Sequence, residues 1–211
     1  MNIGFIGTGQ VGGTLAKRLG SKGHSIFLAA RDISSSEVNQ LAKSIGANAK
    51  VQTIQETIAS TEIIILATPF GAIESIAKEN LISFRGKVLI DCTNPLKPDL
   101  SGLVFNGESS GGEYLQSLLP ETKIVKAFNT VGFNIMENPE FVGRKTIMYF
   151  CGNDQEARFK TQTLIQELGF QSMDAGDIKS SRLLEPFALL WISTAYKYGM
   201  GREFAFSIIN N

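Results

Sequence analysis

Three glycines near the amino terminus are the first residues whose spacing points to chemistry. Gly7, Gly9 and Gly12 follow the short apolar run of residues 3–6 and open a stretch whose apolar residues recur at helical spacing. Such a loop turns tightly at its first glycine, lets a pyrophosphate approach the second, and packs helix against strand at the third. Backbone N–H groups at the helix start would then meet the phosphates. The predicted phosphate-binding loop of a dinucleotide site consists of Gly7, Thr8, Gly9, Gln10, Val11 and Gly12.

The end of the second predicted strand, Ser25–Ala29, bears on which dinucleotide binds. Small residues followed by an arginine suit the 2′-phosphate of NADP, whereas an acidic residue holds the ribose diol of NAD. Ala30 and Arg31 fit the first pattern, but Asp32 lies about 20 residues past the third glycine, where the second pattern places its acid. We predict NADP(H) as the cofactor, with Arg31 as the 2′-phosphate ligand, Ala30 beside it, and the hydroxyls of Ser34, Ser35 and Ser36 able to donate to the phosphate.

Few side chains are available for acid-base chemistry. The one histidine, His24, falls in a predicted surface turn, and Cys92 and Cys151 each lie beside an apolar run, as reduced structural thiols do. No spacing of His, Cys, Asp or Glu in the sequence indicates a metal site. Reduction of a carbonyl needs a proton donor, whereas hydride transfer to a flavin-like ring needs mainly two aligned rings. The sequence therefore favours a second redox cofactor as the small-molecule acceptor.

Composition argues against several other partners. Lys plus Arg and Asp plus Glu each number 20, so the formal net charge is zero, and a broad attraction to nucleic acid or an anionic membrane is not expected. No apolar stretch of the sequence is long enough to span a bilayer, and no secretory signal precedes the glycine loop. We expect a cytoplasmic protein that neither inserts into membranes nor binds nucleic acid.

Short apolar runs alternate with helical patterns along the chain. This alternation predicts an α/β fold of the Rossmann type, with a doubly wound, mainly parallel sheet and a carboxyl-terminal helical extension. We expect one NADP-binding domain over residues 1–211, with a core at 1–178 and a helical tail at 179–211. Ser34 is the expected cap of the helix after the second strand. Predicted strands cover residues 3–6, 25–29, 49–52, 63–67, 88–90, 124–128, 147–151 and 171–173.

Ligands on such a sheet bind at the carboxyl ends of the strands. The stretch 94–112, rich in Gly, Ser and Pro, is therefore expected to be a long loop on the ligand side. Asn94 and Pro95 at its start either contact the cofactor or form only a turn. The apolar tail from Leu183 to Ile209 either packs on its own sheet or supplies a dimer contact, and we predict a homodimer that uses part of it.

Eight segments together carry a family resemblance: residues 7–12, 29–32, 67–69, 126–130, 151–154, 174–176, 182–185 and 199–201. They resemble the NADPH:deazaflavin (coenzyme F420) oxidoreductases of archaea and bacteria, and they are also similar to the cytosolic NADPH-binding domain of six-transmembrane ferric reductases. The resemblance spans nearly the whole chain and is far more specific than any single motif.

The resemblance implies roles for the loops at the carboxyl edge of the sheet. In that family the phosphates are held by the residues matching Thr8, Gln10, Val11 and Arg31, and the loop matching residues 67–69 lies near the nicotinamide. The deazaflavin lies over the nicotinamide, beneath loops after later strands and a turn matching residues 199–201. The resemblance thus implies an NADPH-dependent oxidoreductase that transfers a hydride between NADPH and a flavin or deazaflavin. Besides the glycine loop, the predicted cofactor-binding residues are Ala30, Arg31, Ser35, Ala67, Thr68, Pro69, Asn94, Pro95, Ala127 and Asn129.

Two departures from the family pattern bear on the acceptor and the cofactor. This chain has Asn129, as the ferric reductases do, where the archaeal deazaflavin enzymes have a histidine. The family's lysine near the 2′-phosphate is replaced around Ser35, which would loosen the preference for NADP. Asn129 is the candidate catalytic residue at the acceptor face, although it could instead only bond a loop backbone. No acid-base residue is assigned.

Two other functions stay open. Imine reductases and β-hydroxy-acid dehydrogenases begin with a similar amino terminus, but they add a substantial helical domain, and too little chain follows Met173 for one. A non-catalytic NADP-binding module that senses redox state is the second alternative. An unfilled space beside the nicotinamide would favour an enzyme, and a filled one would favour a sensor.

Overall fold

Strands and helices alternate along residues 1–105, 107–141 and 143–208, which the computed structural model describes. Ile209, the last residue of the predicted apolar tail, lies outside the described residues. The strands are β1 (Asn2–Ile6), β2 (Ser25–Ala29), β3 (Ala49–Gln52), β4 (Ile63–Leu66), β5 (Val88–Asp91), β6 (Lys123–Lys126), β7 (Glu140–Phe141), β8 (Arg144–Lys145), β9 (Ile147–Gly152) and β10 (Gln171–Asp174). The α-helices are α1 (Gln10–Ser21), α2 (Ser36–Ile45), α3 (Ile54–Ser60), α4 (Ile73–Glu79), α5 (Gly111–Leu118), α6 (Phe133–Glu137), α7 (Gln155–Glu167) and α8 (Ser181–Ile192).

Eight of these strands form one sheet in the order β10-β9-β6-β5-β4-β1-β2-β3. β1 to β6 are parallel, β9 runs antiparallel to β6, and β10 pairs in parallel with β9. The other two strands, β7 and β8, pair as a separate hairpin. The chain passes from β1 outward to β3 and then returns to β4 on the other side of β1, which opens a crevice at the carboxyl ends of β1 and β4. The predicted Rossmann-type, mainly parallel sheet is confirmed.

The central strands are buried on both faces. In β4, Ile63 and Ile65 join one apolar cluster. Ile64 and Leu66 join a second cluster, because successive side chains of a strand point to opposite faces of the sheet. Every residue of β5 is buried as well, including Asp91 at its carboxyl end. The sheet therefore has a core on each side, and its carboxyl edge is the place where polar groups of these strands accumulate.

Two local predictions are wrong. The N-cap residue of α2 is Ser35, not Ser34, and Ser34 instead donates its backbone N–H (2.9 Å) and its hydroxyl (2.6 Å) to Asp32 Oδ1. The side chain of Asp32 thus forms a turn with the residue two positions on, and this turn competes with the expected cap. His24 is buried rather than at a surface turn, because its Nε2 lies 2.7 Å from Glu167 Oε2 and so has a polar partner.

The carboxyl-terminal tail folds back on its own domain. α8 continues into a π-helical turn, Ser193–Lys197, and the chain then runs without regular structure to its last described residue. Trp191 Nε1 donates to the carbonyl oxygen of Phe204 at 3.0 Å, and the two rings stack with centroids 5.3 Å apart. On the outer face of α8, Leu183 and Leu190 are 72% and 51% exposed. Packing on its own domain therefore accounts for Trp191 and Phe204 but not for these leucines.

Candidate functional site

The glycine loop joins β1 to α1 at the crevice, and its three glycines meet different surroundings. Gly7 has φ +98°, which side chains disfavour, and a Cβ there would lie 2.5 Å from the carbonyl oxygen of Ala67. A Cβ on Gly12 would overlap the carbonyl oxygen of Gly7, so only glycine lets α1 pack this closely. Around Gly9, no atom lies within 4 Å of the place where a Cβ would be. The second glycine therefore borders open space where a pyrophosphate could approach.

The amino terminus of α1 directs N–H groups at the same space. Gly9 occupies the N-cap position in an extended conformation and supplies no side-chain cap, and the first turn of α1 contains no acidic residue. This turn therefore does not neutralise the positive end of the helix dipole. Thr8, Gln10 and Val11 are partly or fully exposed beside it. The arrangement suits the phosphates of a dinucleotide, which bind at such helix ends.

Arg31 and Asp32 lie just past the end of β2, and both are exposed. The hydroxyl of Ser34, followed by its backbone N–H, lowers the pKa of Asp32 by hydrogen bonding to the carboxylate. The N–H of Ser35 donates to the Asp32 carbonyl oxygen at 3.1 Å. Asp32 is thus engaged in the turn that leads into α2, and this weakens the argument for it as a ligand of the NAD ribose.

The loops after β4, β5 and β6 lie side by side because those strands are neighbours in the sheet. The N–H of Ala67 donates to the carbonyl oxygen of Ile6 at 2.8 Å, which joins the first of these loops to the end of β1. Asn94 Nδ2 donates to the carbonyl oxygen of Asn129 at 2.8 Å, and Asn129 Nδ2 donates to Asn94 Oδ1 at 3.0 Å. Two of the predicted site residues are therefore in direct contact, although they lie in loops that follow different strands.

Three buried polar atoms at this edge find no hydrogen-bond partner among the described residues. They are Thr68 Oγ1, Thr93 Oγ1 and Asn129 Oδ1, which follow β4, β5 and β6 respectively. A buried polar atom without a partner costs about 1–3 kcal/mol. A ligand that brings a polar group to this edge would remove that cost, so the edge fits the carboxamide end of a nicotinamide better than an apolar group.

Phe128, the residue before Asn129, has a backbone conformation that is rare for a bulky residue. Its φ is +58°. The ring is buried and packs edge-on against Phe170, with centroids 6.4 Å apart, so the core holds the backbone in this conformation. Backbone strain of this kind costs about 1–3 kcal/mol and clusters at functional sites. It is an independent reason to place the loop after β6 in the site.

A buried charge cluster beneath this edge was not predicted from the sequence. Lys126 Nζ donates to Asp91 Oδ2 and to the carbonyl oxygen of Thr93, both at 2.7 Å. Glu185 Oε1 lies 2.9 Å from the same nitrogen. Burial by itself would lower the pKa of Lys126, but attraction to Asp91 and Glu185 outweighs burial and raises it. Lys126 is fully buried and its ammonium is bonded to Asp91, Thr93 and Glu185, so it is not placed to donate a proton to a substrate carbonyl.

One signal for this cluster was present in the sequence. Asp91 and Lys126 each end an apolar strand, and Glu185 interrupts the apolar pattern of α8. Charged side chains are almost never fully buried unless they are paired. A single charged residue in an apolar run therefore indicates that an oppositely charged residue lies nearby in the fold. The sequence does not identify which residue that is.

Cys92 and Cys151 are free, buried thiols, as predicted. Burial raises the pKa of Cys151 to about 11, and it raises the pKa of Cys92 as well. Neither thiol is therefore a nucleophile at neutral pH. In the described part of the chain, no group of three or more His, Cys, Asp or Glu side chains is arranged to hold a metal ion. Within the same ranges, no helix has both the length and the apolar character needed to cross a membrane.

Comparison with known proteins finds similarity to NADP-dependent reductases. Residues 2–95 match the family model described as NADP oxidoreductase, coenzyme F420-dependent. Over these residues the chain is similar to the F420-dependent NADP oxidoreductases. The F420-dependent NADP reductase of Methanocaldococcus jannaschii is 28% identical over 211 residues, which cover 94% of this chain and 94% of that reductase. A solved structure of a candidate F420-dependent NADP reductase from Arthrobacter sp. FB24 matches with a TM-score of 0.87 and 29% identity over 100% of both chains.

The resemblance to F420-dependent NADP oxidoreductases is thereby confirmed, and so is the second predicted similarity. Metalloreductase STEAP3 of Rattus norvegicus is 27% identical over 190 residues, which are 89% of this chain but only 36% of that protein. These relatives also confirm the predicted enzyme class, an NADP(H)-dependent oxidoreductase. The homodimer and the cytoplasmic location are not tested by them and stay predictions.

Proposed function

We propose that the chain transfers a hydride between NADPH and a planar redox acceptor, a flavin or a deazaflavin. The observation that carries the proposal is the Asn94–Asn129 amide pair, which lies among unpartnered polar atoms at the ends of β4, β5 and β6. Amide groups orient rings by hydrogen bonding, but they do not exchange protons as a general acid or base does. An edge built from amides therefore suits aligned hydride transfer better than carbonyl reduction.

The residues of the site would bind and orient the cofactor. The glycine loop and the amino terminus of α1 would hold the pyrophosphate, and Arg31 would hold the 2′-phosphate. When bound, NADPH supplies the hydride. Thr68, Thr93 and Asn129 would direct their unpartnered atoms at the nicotinamide side, and the buried sheet below would exclude water. Catalysis would then depend on alignment of the two rings rather than on a titrating side chain.

Arg31→Ala is expected to weaken NADPH binding by about 10- to 100-fold and to leave NADH binding nearly unchanged. Only NADPH carries the 2′-phosphate that the guanidinium would bind through charge-assisted hydrogen bonds. Fluorescence titration with each cofactor measures both affinities, and the unmutated chain should prefer NADPH at least several-fold. Arg144→Ala, which removes an exposed arginine from the β7–β8 hairpin, is the control and should change neither affinity. Equal losses for NADPH and NADH in Arg31→Ala would contradict the assignment.

Asn129→Ala should lower turnover with the true acceptor by at least about tenfold and weaken NADPH binding by less than about threefold. The amide is proposed to act at the acceptor face, so its loss affects ring alignment more than cofactor affinity. Steady-state kinetics give the turnover, and fluorescence titration gives the affinity. Asn138→Ala, at the exposed end of α6, is the matched control. A loss in affinity as large as the loss in turnover would make Asn129 only a cofactor ligand.

The acceptor itself is identified by a panel. Purified protein and NADPH are mixed with deazaflavin, FMN, FAD, ferric chelates, small imines or keto acids, and the nicotinamide absorbance is followed. Rapid oxidation with a flavin or deazaflavin is the expected result. Oxidation only with an imine or a keto acid would overturn the mechanism in favour of the dehydrogenase alternative. Tight NADPH binding without oxidation by any acceptor would favour the redox-sensing module.

We also propose a homodimer that uses the outer face of α8. Leu183 and Leu190 lie on that face and are 72% and 51% exposed, which is unfavourable for large apolar side chains in water. Light scattering should give twice the mass of one chain, and the double change Leu183→Glu with Leu190→Glu should give a monomer. Phe159→Glu on α7 is the control, because Phe159 is also exposed, at 68%, but lies on another helix. A monomer of the unmutated chain at all working concentrations would exclude this interface.

A further inference from the structure

We propose that Lys126, Asp91 and Glu185 act together as a positioning unit for the two loops that would face the nicotinamide, residues 93–95 and 127–129. The inference rests on the NADPH site proposed above. The three charged side chains are at most 1% exposed, so they lie below the site rather than in it. They would act through the backbone groups that they hold.

The start of the 93–110 loop is held at both backbone groups of Thr93. Asp91 Oδ1 accepts a hydrogen bond from the Thr93 N–H at 2.9 Å. Lys126 Nζ donates to the Thr93 carbonyl oxygen at 2.7 Å. Asp91 and Lys126 are in turn joined to each other at 2.7 Å. With its N–H and its carbonyl both bonded to this pair, Thr93 has little freedom to rotate, and the position of Asn94 follows from it.

The end of the same loop is held by Glu185. Its carboxylate accepts from the N–H groups of Gly111 at 2.9 Å and Gly112 at 3.0 Å, the first residues of α5. A Cβ on Gly111 would lie 3.1 Å from Glu185 Oε1, and a Cβ on Gly112 would overlap Ser181 Oγ, so glycines are needed for this approach. Glu185 also pairs with Lys126 at 2.9 Å. Both ends of the loop are therefore anchored to one cluster.

The second loop follows directly in the chain from the lysine of the cluster. The N–H of Ala127 donates to the carbonyl oxygen of Asp91 at 3.1 Å. Asn129 Nδ2 lies 3.4 Å from the carbonyl oxygen of Leu184, the residue before Glu185, and donates to it. One turn of α8 thus contacts both the charge cluster and the Asn94–Asn129 pair. A displacement of Glu185 would therefore shift the backbone of both loops.

The presence of three buried charges is better explained by the positioning of the two loops than by the stability of the fold. Two carboxylates and one ammonium leave it net negative, and the N–H groups at the start of α5 offset part of the excess. Buried ion pairs stabilise a fold little, because removing the charges from water costs about as much as their attraction returns. Apolar side chains of similar size would serve stability equally well, but they could not bond the N–H and the carbonyl of Thr93.

The test compares Glu185→Gln with Glu113→Gln. Glu113 also links α5 to α8, but through Arg182 at 2.7 Å, so the same chemical change is made beside the cluster rather than in it. The ligands are NADPH and 2′,5′-ADP, which carries the 2′-phosphate and lacks the nicotinamide. We expect Glu185→Gln to weaken NADPH binding by about tenfold and 2′,5′-ADP binding by less than about twofold. This loss of NADPH affinity is larger than the loss expected for Asn129→Ala, because Glu185→Gln would displace both loops. Glu113→Gln should leave the ratio of the two affinities unchanged.

A purely structural cluster would change both affinities together, or neither, while lowering the unfolding temperature. If Glu185→Gln does not fold, Glu185→Asp replaces it, because aspartate keeps the charge but withdraws the carboxylate from the glycine N–H groups. A wild-type affinity ratio in a folded variant overturns the inference. Failure of the unmutated chain to bind 2′,5′-ADP is a distinguishable result, since it overturns the proposed cofactor site and the inference with it.

Discussion

Gly9→Val is expected to abolish NADPH binding and to leave the fold intact. The backbone of Gly9 is extended, with φ −70° and ψ −158°, so a valine there does not need the left-handed conformation that favours glycine. No protein atom lies within 4 Å of the Cβ position, so the side chain would point into open space. That space is where the pyrophosphate would approach the N–H groups of α1, and the valine methyl groups would block it. Fluorescence titration with NADPH should show a loss of at least about 100-fold.

A neighbouring glycine supplies the contrast. Gly12→Ala would place a Cβ against the carbonyl oxygen of Gly7, so this variant should lose thermal stability together with NADPH binding. Gly9→Val should instead keep the circular dichroism spectrum and the unfolding temperature of the unmutated chain. If a folded Gly9→Val protein bound NADPH with undiminished affinity, the glycine loop would not be the phosphate site.

Lys126→Met should lower the free energy of unfolding by about 3–5 kcal/mol. Methionine has a similar length, but Asp91 Oδ2 and Glu185 Oε1 would lose the ammonium that lies 2.7 and 2.9 Å from them. Two carboxylates would then be buried next to each other without a positive partner, which is costly in a region of low dielectric constant. Urea denaturation measures the loss as a lower midpoint at an unchanged m-value.

Lys123→Met is the matched control, since Lys123 lies on the same strand, β6. Its side chain is 33% exposed, and its Nζ pairs with Asp154 at 3.4 Å and Glu156 at 3.3 Å. Water screens such pairs, so the loss of stability should be much smaller than for Lys126→Met. If the two variants lost similar amounts of unfolding free energy, the buried ion pairs of Lys126 would contribute no more to stability than the exposed pairs of Lys123.

Much of the fold was predictable because its signals are local. β2 and β3 have the predicted bounds, since apolar runs between turn residues define a strand within a few positions. Several short elements were not predicted: α3, α4, α5, α6 and the β7–β8 hairpin. These segments are too short for an apolar period to show in the sequence. The misplaced cap of α2 has another cause, because the Asp32 side chain competes for the Ser34 hydroxyl.

The candidate site divides in the same way. The phosphate loop and the Arg31 position were predicted from residues close in sequence, although Gly7 also packs closely against the carbonyl oxygen of Ala67. The Asn94–Asn129 pair and the cluster of Lys126, Asp91 and Glu185 join residues from β5, β6 and α8. The sequence showed that these polar residues interrupt apolar runs, but it did not show that they contact one another.

Local pattern was thus enough to predict the glycine loop between β1 and α1 and the mainly parallel sheet. Residues a few positions apart decide the local backbone conformation through short-range steric contacts. The spacing of their apolar side chains decides which face of a helix or strand is buried, because burial of apolar surface is favourable. The choice of polar partners was decided only by the packing of distant elements. Strand order brings the ends of β5 and β6 together, and the return of α8 places Glu185 between Lys126 and the start of α5. A buried charge requires a partner wherever it lies, but which partner it finds depends on the topology of the whole chain.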